Sequence, residues 1–234
     1  MPKWLIAVVV IVSTVLVLFT LAVLTRPEPR VITPVGTERE SAGVETDGAT
    51  GGRRLTPRPG LEGLKIPDFS LVNQAGEPVD QSVLDGRVSV VAFIFTNCQL
   101  ACPPMTGAML RMYHALGGAP VRFVSISVDP VHDTPERLTE YAARLSVDTG
   151  RWMFLTGGEG ETARIVAESL KFAIAPDPDD ANLIPLPDGS TMRNISHPIK
   201  LFLVGPERQI LDFCTPTIAE DLDRFVEVAR ETAG

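Results

Sequence analysis

The sequence predicts an α/β domain built around a central parallel strand, and three observations carry that reading. The run Val88 to Phe95 is apolar at every position but Ser89, as a strand covered on both faces must be. It leads directly into Thr96-Asn97-Cys98-Gln99-Leu100-Ala101-Cys102-Pro103-Pro104, two thiols four apart at the mouth of a proline-initiated helix. Beyond that point strand and helix signals alternate, which is the order that builds parallel strands.

Each element has its own signal. Ile66 to Val72, the turn Asn73-Gln74-Ala75-Gly76, and Glu77 to Val79 predict an N-terminal hairpin, with a helical turn at Ser82 to Leu84. Val88 to Phe95 is the expected central parallel strand. Pro103-Pro104 open a helix expected over Met105 to Leu116, which Gly117-Gly118 stop. Val121 to Val128 is the next strand, and Thr134-Pro135-Glu136 reads as cap, first turn and acidic start of a helix reaching Leu145. Trp152 to Thr156 and Gly160 to Leu170 supply a third strand and helix. Between Ala175 and Arg193, Pro, Asp and Asn predict a long loop. Ile199 to Val204, a turn at Gly205 to Arg208, and Gln209 to Phe213 form a second hairpin, and a helix from Ile218 to about Glu231 closes the chain. This is the thioredoxin order with an extra N-terminal hairpin.

Ahead of that domain, Trp4 to Leu24 is a run of 21 residues without a charge, which at about 1.5 Å per residue can cross a ~30 Å hydrocarbon core. The run is longer than a signal-peptide core and ends without a small-x-small cleavage site, so residues 1–24 are expected to be an uncleaved transmembrane helix. Residues 25–63 are rich in Pro, Gly, Thr, Glu and Arg and show no apolar period, as a flexible tether would. A tail of three residues before the apolar run leaves no room for a mitochondrial transit peptide, so a bacterial inner membrane is the expected setting. Lys3 stands on one side of the span and Arg26, Arg30 and Arg39 on the other, a distribution that by itself favours a cytoplasmic C-terminal part.

Of the formal charge of −8, residues 64–234 carry −9, since 1–24 holds one Lys and 25–63 balances six Arg against six acids. So acidic a domain is not built for nucleic acid. With three cysteines at most one intramolecular bridge can form, so disulfides do not hold the fold.

The chemistry-bearing residues are Cys98 and Cys102. Their C-x-x-x-C spacing has one residue more than the redox C-x-x-C, and the helix N-terminus beside them stabilises thiolate, the form that binds metal. Two thiolates are soft ligands for Cu(I) or Zn(II), and an imidazole completes a three-ligand set suited to copper. The candidate imidazole is His197, in Asn194-Ile195-Ser196-His197-Pro198 ahead of the strand at Ile199; a plain loop side chain is the competing reading. A structural zinc site would want four ligands, and three are found.

Thr96-x-Cys98-x-x-x-Cys102-Pro103, Ser127-Val128-Asp129-Pro130-x-x-Asp133-Thr134-Pro135, and His197 five residues before Phe202 together resemble the Sco/SenC family of membrane-tethered copper proteins. The resemblance covers roughly Leu64 to Gly234 plus the anchor. It implies a thioredoxin-like fold and copper held by Cys98, Cys102 and His197. It further implies a role in assembling the dinuclear copper centre of cytochrome c oxidase, with the oxidase subunit carrying that centre as partner. A periplasmic copper donor or a thiol reductant would be further partners. The implied topology puts the C-terminal domain in the periplasm, against the charge distribution. The chain departs from the family in having Ser196 where Asp often precedes the histidine, so the imidazole needs another support. Pro198 after it is a candidate for a cis bond.

Around these residues, Asp129 lies at the cysteine edge of the sheet, with turn chemistry and ligand tuning equally open to it. Asp133, Thr134 and Pro135 read as turn and capping residues. His114 and His132 read as surface residues, and Cys214 as a small core residue at a strand end. Three alternatives to a copper metallochaperone stand. The first is a thiol-disulfide oxidoreductase acting on the oxidase cysteines through Cys98 and Cys102. The second is a tethered copper or redox sensor. The third, a peroxidase, is weaker because the two thiols sit together.

Overall fold

The run from Val88 is buried on both faces over all seven residues of its strand, Val88–Ile94, so it must be flanked on both edges and covered above and below. In the computed structural model described here, covering residues 42–46, 53–98, 102–158, 160–179, 183–186 and 188–234 without the side chains of 44–46, 53, 54 and 102, that strand is β5. The strands are β1 (Gly43–Thr46), β2 (Arg53–Thr56), β3 (Ser70–Asn73), β4 (Pro78–Asp80), β5 (Val88–Ile94), β6 (Val121–Ser127), β7 (Trp152–Thr156), β8 (Ala175–Pro176), β9 (Leu183–Pro185), β10 (Thr191–Arg193), β11 (Ile195–Ser196), β12 (Leu201–Val204) and β13 (Ile210–Cys214). The helices are α1 (Cys102–Ala115), α2 (Pro135–Leu145), α3 (Glu161–Leu170) and α4 (Ala219–Ala233).

Seven strands make one mixed sheet in the order β13-β12-β5-β6-β7-β3-β4. β5, β6 and β7 are parallel, and their registers run from Val88 opposite Val121 and from Phe123 opposite Trp152. β12 joins the other edge of β5 antiparallel, and β3 joins β7 antiparallel through Val72 and Thr156. Pro78 sits on the outermost strand, where its missing N–H leaves no ladder bond unmade. This is the thioredoxin-like α/β fold with the N-terminal hairpin added as β3-β4. The turn Gln81–Leu84 is a 3-10 turn, capped by Asp80 accepting from the Ser82 amide. Thr134 caps α2 by accepting from the Arg137 amide at 3.4 Å. α4 lies on β5, β6 and β13 and touches α1, while α2 lies on β7.

The structure differs from the sequence expectation in four places. Helix α1 starts at Cys102 itself, not after the prolines, because Pro is well tolerated in a first turn where N–H groups have no partner anyway. The loop expected over 175–193 contains two short antiparallel ladders, β9 with β10 and β8 with β11. The tight turn at Asp188-Gly189, with Gly189 at φ +85°, lets the chain reverse between β9 and β10. No peptide bond among the described residues is cis, so Pro198 follows His197 through a trans bond.

The fourth difference concerns the tether expected over 25–63. Its last part is attached: Arg58 donates its amide to the Leu211 carbonyl at 2.7 Å, Leu61 is buried, and Ile210 donates to Leu64. The antiparallel pair β1-β2 also falls within it. Apolar period alone cannot reveal such a segment, because it adds to an existing sheet and makes no core of its own. The transmembrane helix expected over 1–24 lies outside the described residues. Among those described, no helix is long and apolar enough to cross a membrane.

The docked segment meets a buried ionic cluster on β13. Asp212, fully buried, receives Arg224 of α4 and, at 3.4 Å, Arg58, whose guanidinium also covers the Phe213 ring at 4.8 Å. Arg224 also pairs with Asp221 at 3.1 Å, and Asp221 accepts the Thr215 amide at 2.8 Å. Removing one partner of a buried pair leaves the other charged in a poor solvent. Arg224→Ala is expected to destabilise the domain by about 3 kcal/mol, read as a lowered urea midpoint, whereas Arg230→Ala on the exposed face of α4 is expected to change it by less than about 1 kcal/mol.

Candidate metal centre

β5 delivers the chain to the cysteine turn. Past Ile94 the backbone leaves the sheet, and the Cys98 amide donates to the Phe95 carbonyl at 3.2 Å, closing a turn. Cys98 is only 8% exposed. Cys102 is the first residue of α1, where unpaired amide groups and the positive end of the helix dipole favour thiolate; its side chain lies outside those described.

The imidazole arrives from the neighbouring strand. β12 pairs antiparallel with β5, Leu201 opposite Ala92. The segment that leads into β12 therefore approaches the sheet at the end where β5 gives way to the cysteine turn. His197 is 7% exposed, and its ring stands edge-on to Phe95 with centroids 5.6 Å apart and planes at 85°. Phe95 thus touches both: its carbonyl fixes the Cys98 turn and its ring backs His197. The His197 Nδ1 lies 3.3 Å from the Pro198 carbonyl; an Nδ1–H donated there puts the lone pair on Nε2. This contact supplies a support of the kind that the exposed Ser196 does not. Among the described side chains no three His, Cys, Asp or Glu gather into a metal-binding group.

Beneath the cysteine turn is a carboxylate that sequence reasoning had assigned to turn and capping. Asp133 is fully buried. It accepts from the Thr96 hydroxyl at 2.6 Å, from the Thr96 amide at 3.2 Å and from the Ser127 hydroxyl at 2.6 Å. Burial pushes its carboxyl above the usual range, the Ser127 and Thr96 bonds pull it back, and nearby Asp129 pushes it up again. Arg137 of α2 spans the same turn, donating Nε to the Thr96 hydroxyl and a terminal nitrogen to Asn97 Oδ1, each at 3.2 Å. The Asn97 amide in turn reaches the Met192 sulfur on β10 at 3.8 Å. The start of the cysteine turn is therefore held by β6, the β6-α2 loop and α2 together. Sequence spacing could not reveal this, because Asp-x-x-x-Asp-Thr-Pro is also an ordinary strand-to-helix turn.

Asp129 is buried and turns its carboxylate to His132, whose Nδ1 lies 2.8 Å from one oxygen and 2.9 Å from the other. His132, expected on the surface, is half-buried by this pairing, whereas His114 is exposed as expected. Cys214 is fully buried at the end of β13, opposite Leu201. Burial, with Asp221 and Asp212 nearby and against Arg224, pushes its thiol up to about 12. That matches a core residue and not a redox partner.

The fold and this cysteine-histidine edge define a thioredoxin-like protein with sulfur chemistry at the C-terminal end of its central strand. The SCO1/SenC family profile matches residues 60–231, so the chain belongs to the SCO1/SenC family. It is 33% identical over 150 residues to the SCO1 protein homolog of Bacillus subtilis, a match covering 63% of this chain and 72% of that one. Among solved structures it is similar to BsSco, a member of the Sco family of cytochrome c oxidase assembly proteins in which a disulfide switch is described, with TM-score 0.57, 28% identity, and coverage of 73% of this chain and 94% of that one. Bradyrhizobium japonicum ScoI, solved with copper bound, shares the fold at TM-score 0.56 and 20% identity, covering 71% of this chain and 98% of that one.

Two outcomes follow from the site. Asp133→Ala strands two hydroxyls and an amide in the interior, and is expected to cost about 3 kcal/mol and to speed hydrogen exchange at Thr96; unchanged exchange there would show that the carboxylate does not hold the turn. Cys214 has a folded-state pKa above its unfolded value, so the stability its neutral thiol contributes is complete below about pH 9 and is lost as pH rises toward 12. Denaturant titrations at pH 8 and 10 are expected to show a loss of stability that Cys214→Ala reduces.

Proposed function

We propose that this chain is a membrane-tethered copper metallochaperone, holding copper through Cys98, Cys102 and His197 and delivering it to the dinuclear copper centre of cytochrome c oxidase. The observation that carries the reading is the meeting of Cys98 and His197 on Phe95, the backbone amide of one on its carbonyl and the imidazole of the other against its ring. Two thiolates and an imidazole are a soft donor set that suits Cu(I) and accepts Cu(II). Family membership supports the assignment, as does the copper bound to Bradyrhizobium japonicum ScoI and the oxidase-assembly family of BsSco.

Copper here is cargo. Three protein ligands leave a coordination position for an incoming thiolate or imidazole of the acceptor, so transfer proceeds by stepwise ligand exchange with copper held throughout. A buried site slows loss of the ion to solvent, and the helix N-terminus keeps the cysteines as thiolates ready to rebind. In this reading residues 1–24 anchor the chain in a bacterial inner membrane, part of 25–63 spans the gap to the domain, and the domain works in the periplasm. Asp129 acts on the site through Asp133, whose carboxyl its charge pushes up and which holds Thr96 at the start of the cysteine turn.

A second reading rests on the disulfide switch described for BsSco: Cys98 and Cys102 exchange a disulfide with the oxidase cysteines and keep them reduced. The two readings separate on His197. Anaerobic titration of the full chain in neutral detergent is expected to bind one copper per reduced chain. His197→Ala is expected to weaken that binding by more than the roughly 10–100-fold that loss of a ligand's support costs, and to alter the copper absorption spectrum. Copper binding indifferent to His197, with turnover on a disulfide substrate that needs both cysteines, would replace the first reading with the second.

A further inference from the structure

At the opposite end of the sheet from Cys98, the chain gathers positive charge. Arg87, Pro120 and Arg151 immediately precede β5, β6 and β7, and with Arg122, Gly86, Ala119, Val121 and Gly150 they line a cleft of about 480 Å³. Three guanidiniums in one cleft are out of keeping with a domain that carries −9 over residues 64–234.

The three arginines are not equivalent. Arg151 is tied into the fold, donating to the Tyr113 carbonyl at 2.9 Å and lying over the Tyr113 ring at 4.4 Å. Arg122 spends one nitrogen on the Val83 carbonyl at 3.1 Å and keeps four further N–H donors. Arg87 is exposed, and among the described residues neither Arg87 nor Arg122 forms an ion pair. The nearest acids in sequence are engaged elsewhere: Asp85 lies 3.1 Å from Arg208, and Asp148 accepts the Gly150 amide at 2.9 Å. Val88 pairs with Val121 and Ser89 with Arg122, which puts Arg87 and Arg122 on neighbouring strand ends, and burial, with the neighbouring Arg87 charge, holds Arg122 below its ordinary value.

Neighbouring guanidiniums without an acidic partner present planar forks of donors that match phosphate oxygens. The cleft is also lined by Ala119, Pro120 and Val121 and has room beyond a bare anion, so it fits an anion carried on an organic body. We propose that the Arg87–Arg122 cleft binds a phosphate ester, at a site separate from the cysteine edge. Free metabolite and lipid headgroup share this chemistry.

Calorimetric titration of the full chain in neutral detergent, with glycerol 3-phosphate in one arm and dihexanoyl phosphatidylglycerol in the other, tests the proposal. Saturable binding is expected, tighter in the first arm for a free ligand and in the second for a headgroup. Arg87, which makes no hydrogen bond to the fold, can be removed without disturbing it, and Arg87→Ala is expected to weaken binding about tenfold, the loss of one charge-assisted bond. Arg230→Ala, on α4, is expected to leave it unchanged. No saturable binding in either arm, parental affinity in Arg87→Ala, or equal weakening by Arg230→Ala would each overturn the proposal. Copper binding is read separately and is not expected to follow any of these outcomes.

Discussion

Complete burial of β5 on both faces is the constraint from which the rest of the molecule follows. A strand with no solvent-facing side chain needs a hydrogen-bonded neighbour on each edge and cover on each face, and here the neighbours are β6 and β12. One of them supplies Ser127 at its end and Asp129 and Asp133 just past it, and the other is entered through His197. The residues that hold Thr96 and back Phe95, on the way to Cys98, are therefore brought there by the requirements of the core. No separate folding of the site is needed, which is why a catalytic or binding edge can be assembled from segments a hundred residues apart.

The described start of the cysteine turn, Thr96 to Cys98, lies beyond the last ladder bond of β5. Its order comes from a buried polar network centred on Asp133, with Thr96, Ser127 and Arg137 as partners. Such a network costs desolvation, and the raised pKa of Asp133 reflects that cost; what it provides is a fixed direction for the chain as it leaves β5. Met192, reached by Asn97, ties the β9-β10 arm to the same turn.

A second buried charged cluster, Asp212 with Arg224, Arg58 and Asp221, acts at the other side of the sheet. It joins β13, α4 and the segment leading into the domain, so the end of the tether and the last helix are held by one carboxylate. Cys214 closes β13 two residues past Asp212, buried and resistant to ionisation.

The order of elements, the central strand, the capped start of α2 and the two hairpins were legible in the sequence because each depends on local chemistry: apolar runs, Thr134 and Pro135, Asn73 to Gly76. The family motifs and the C-x-x-x-C spacing of Cys98 and Cys102 were legible for the same reason. Only tertiary structure could decide that Asp133 faces inward to Thr96, that Asp129 belongs to His132, that Arg58 docks on Asp212, and that the segment after Ala175 forms short ladders. Each of these is a choice between partners that local sequence leaves equivalent, and for Asp133 and Asp212 it is a long-range choice made by which buried polar group would otherwise lack a hydrogen bond.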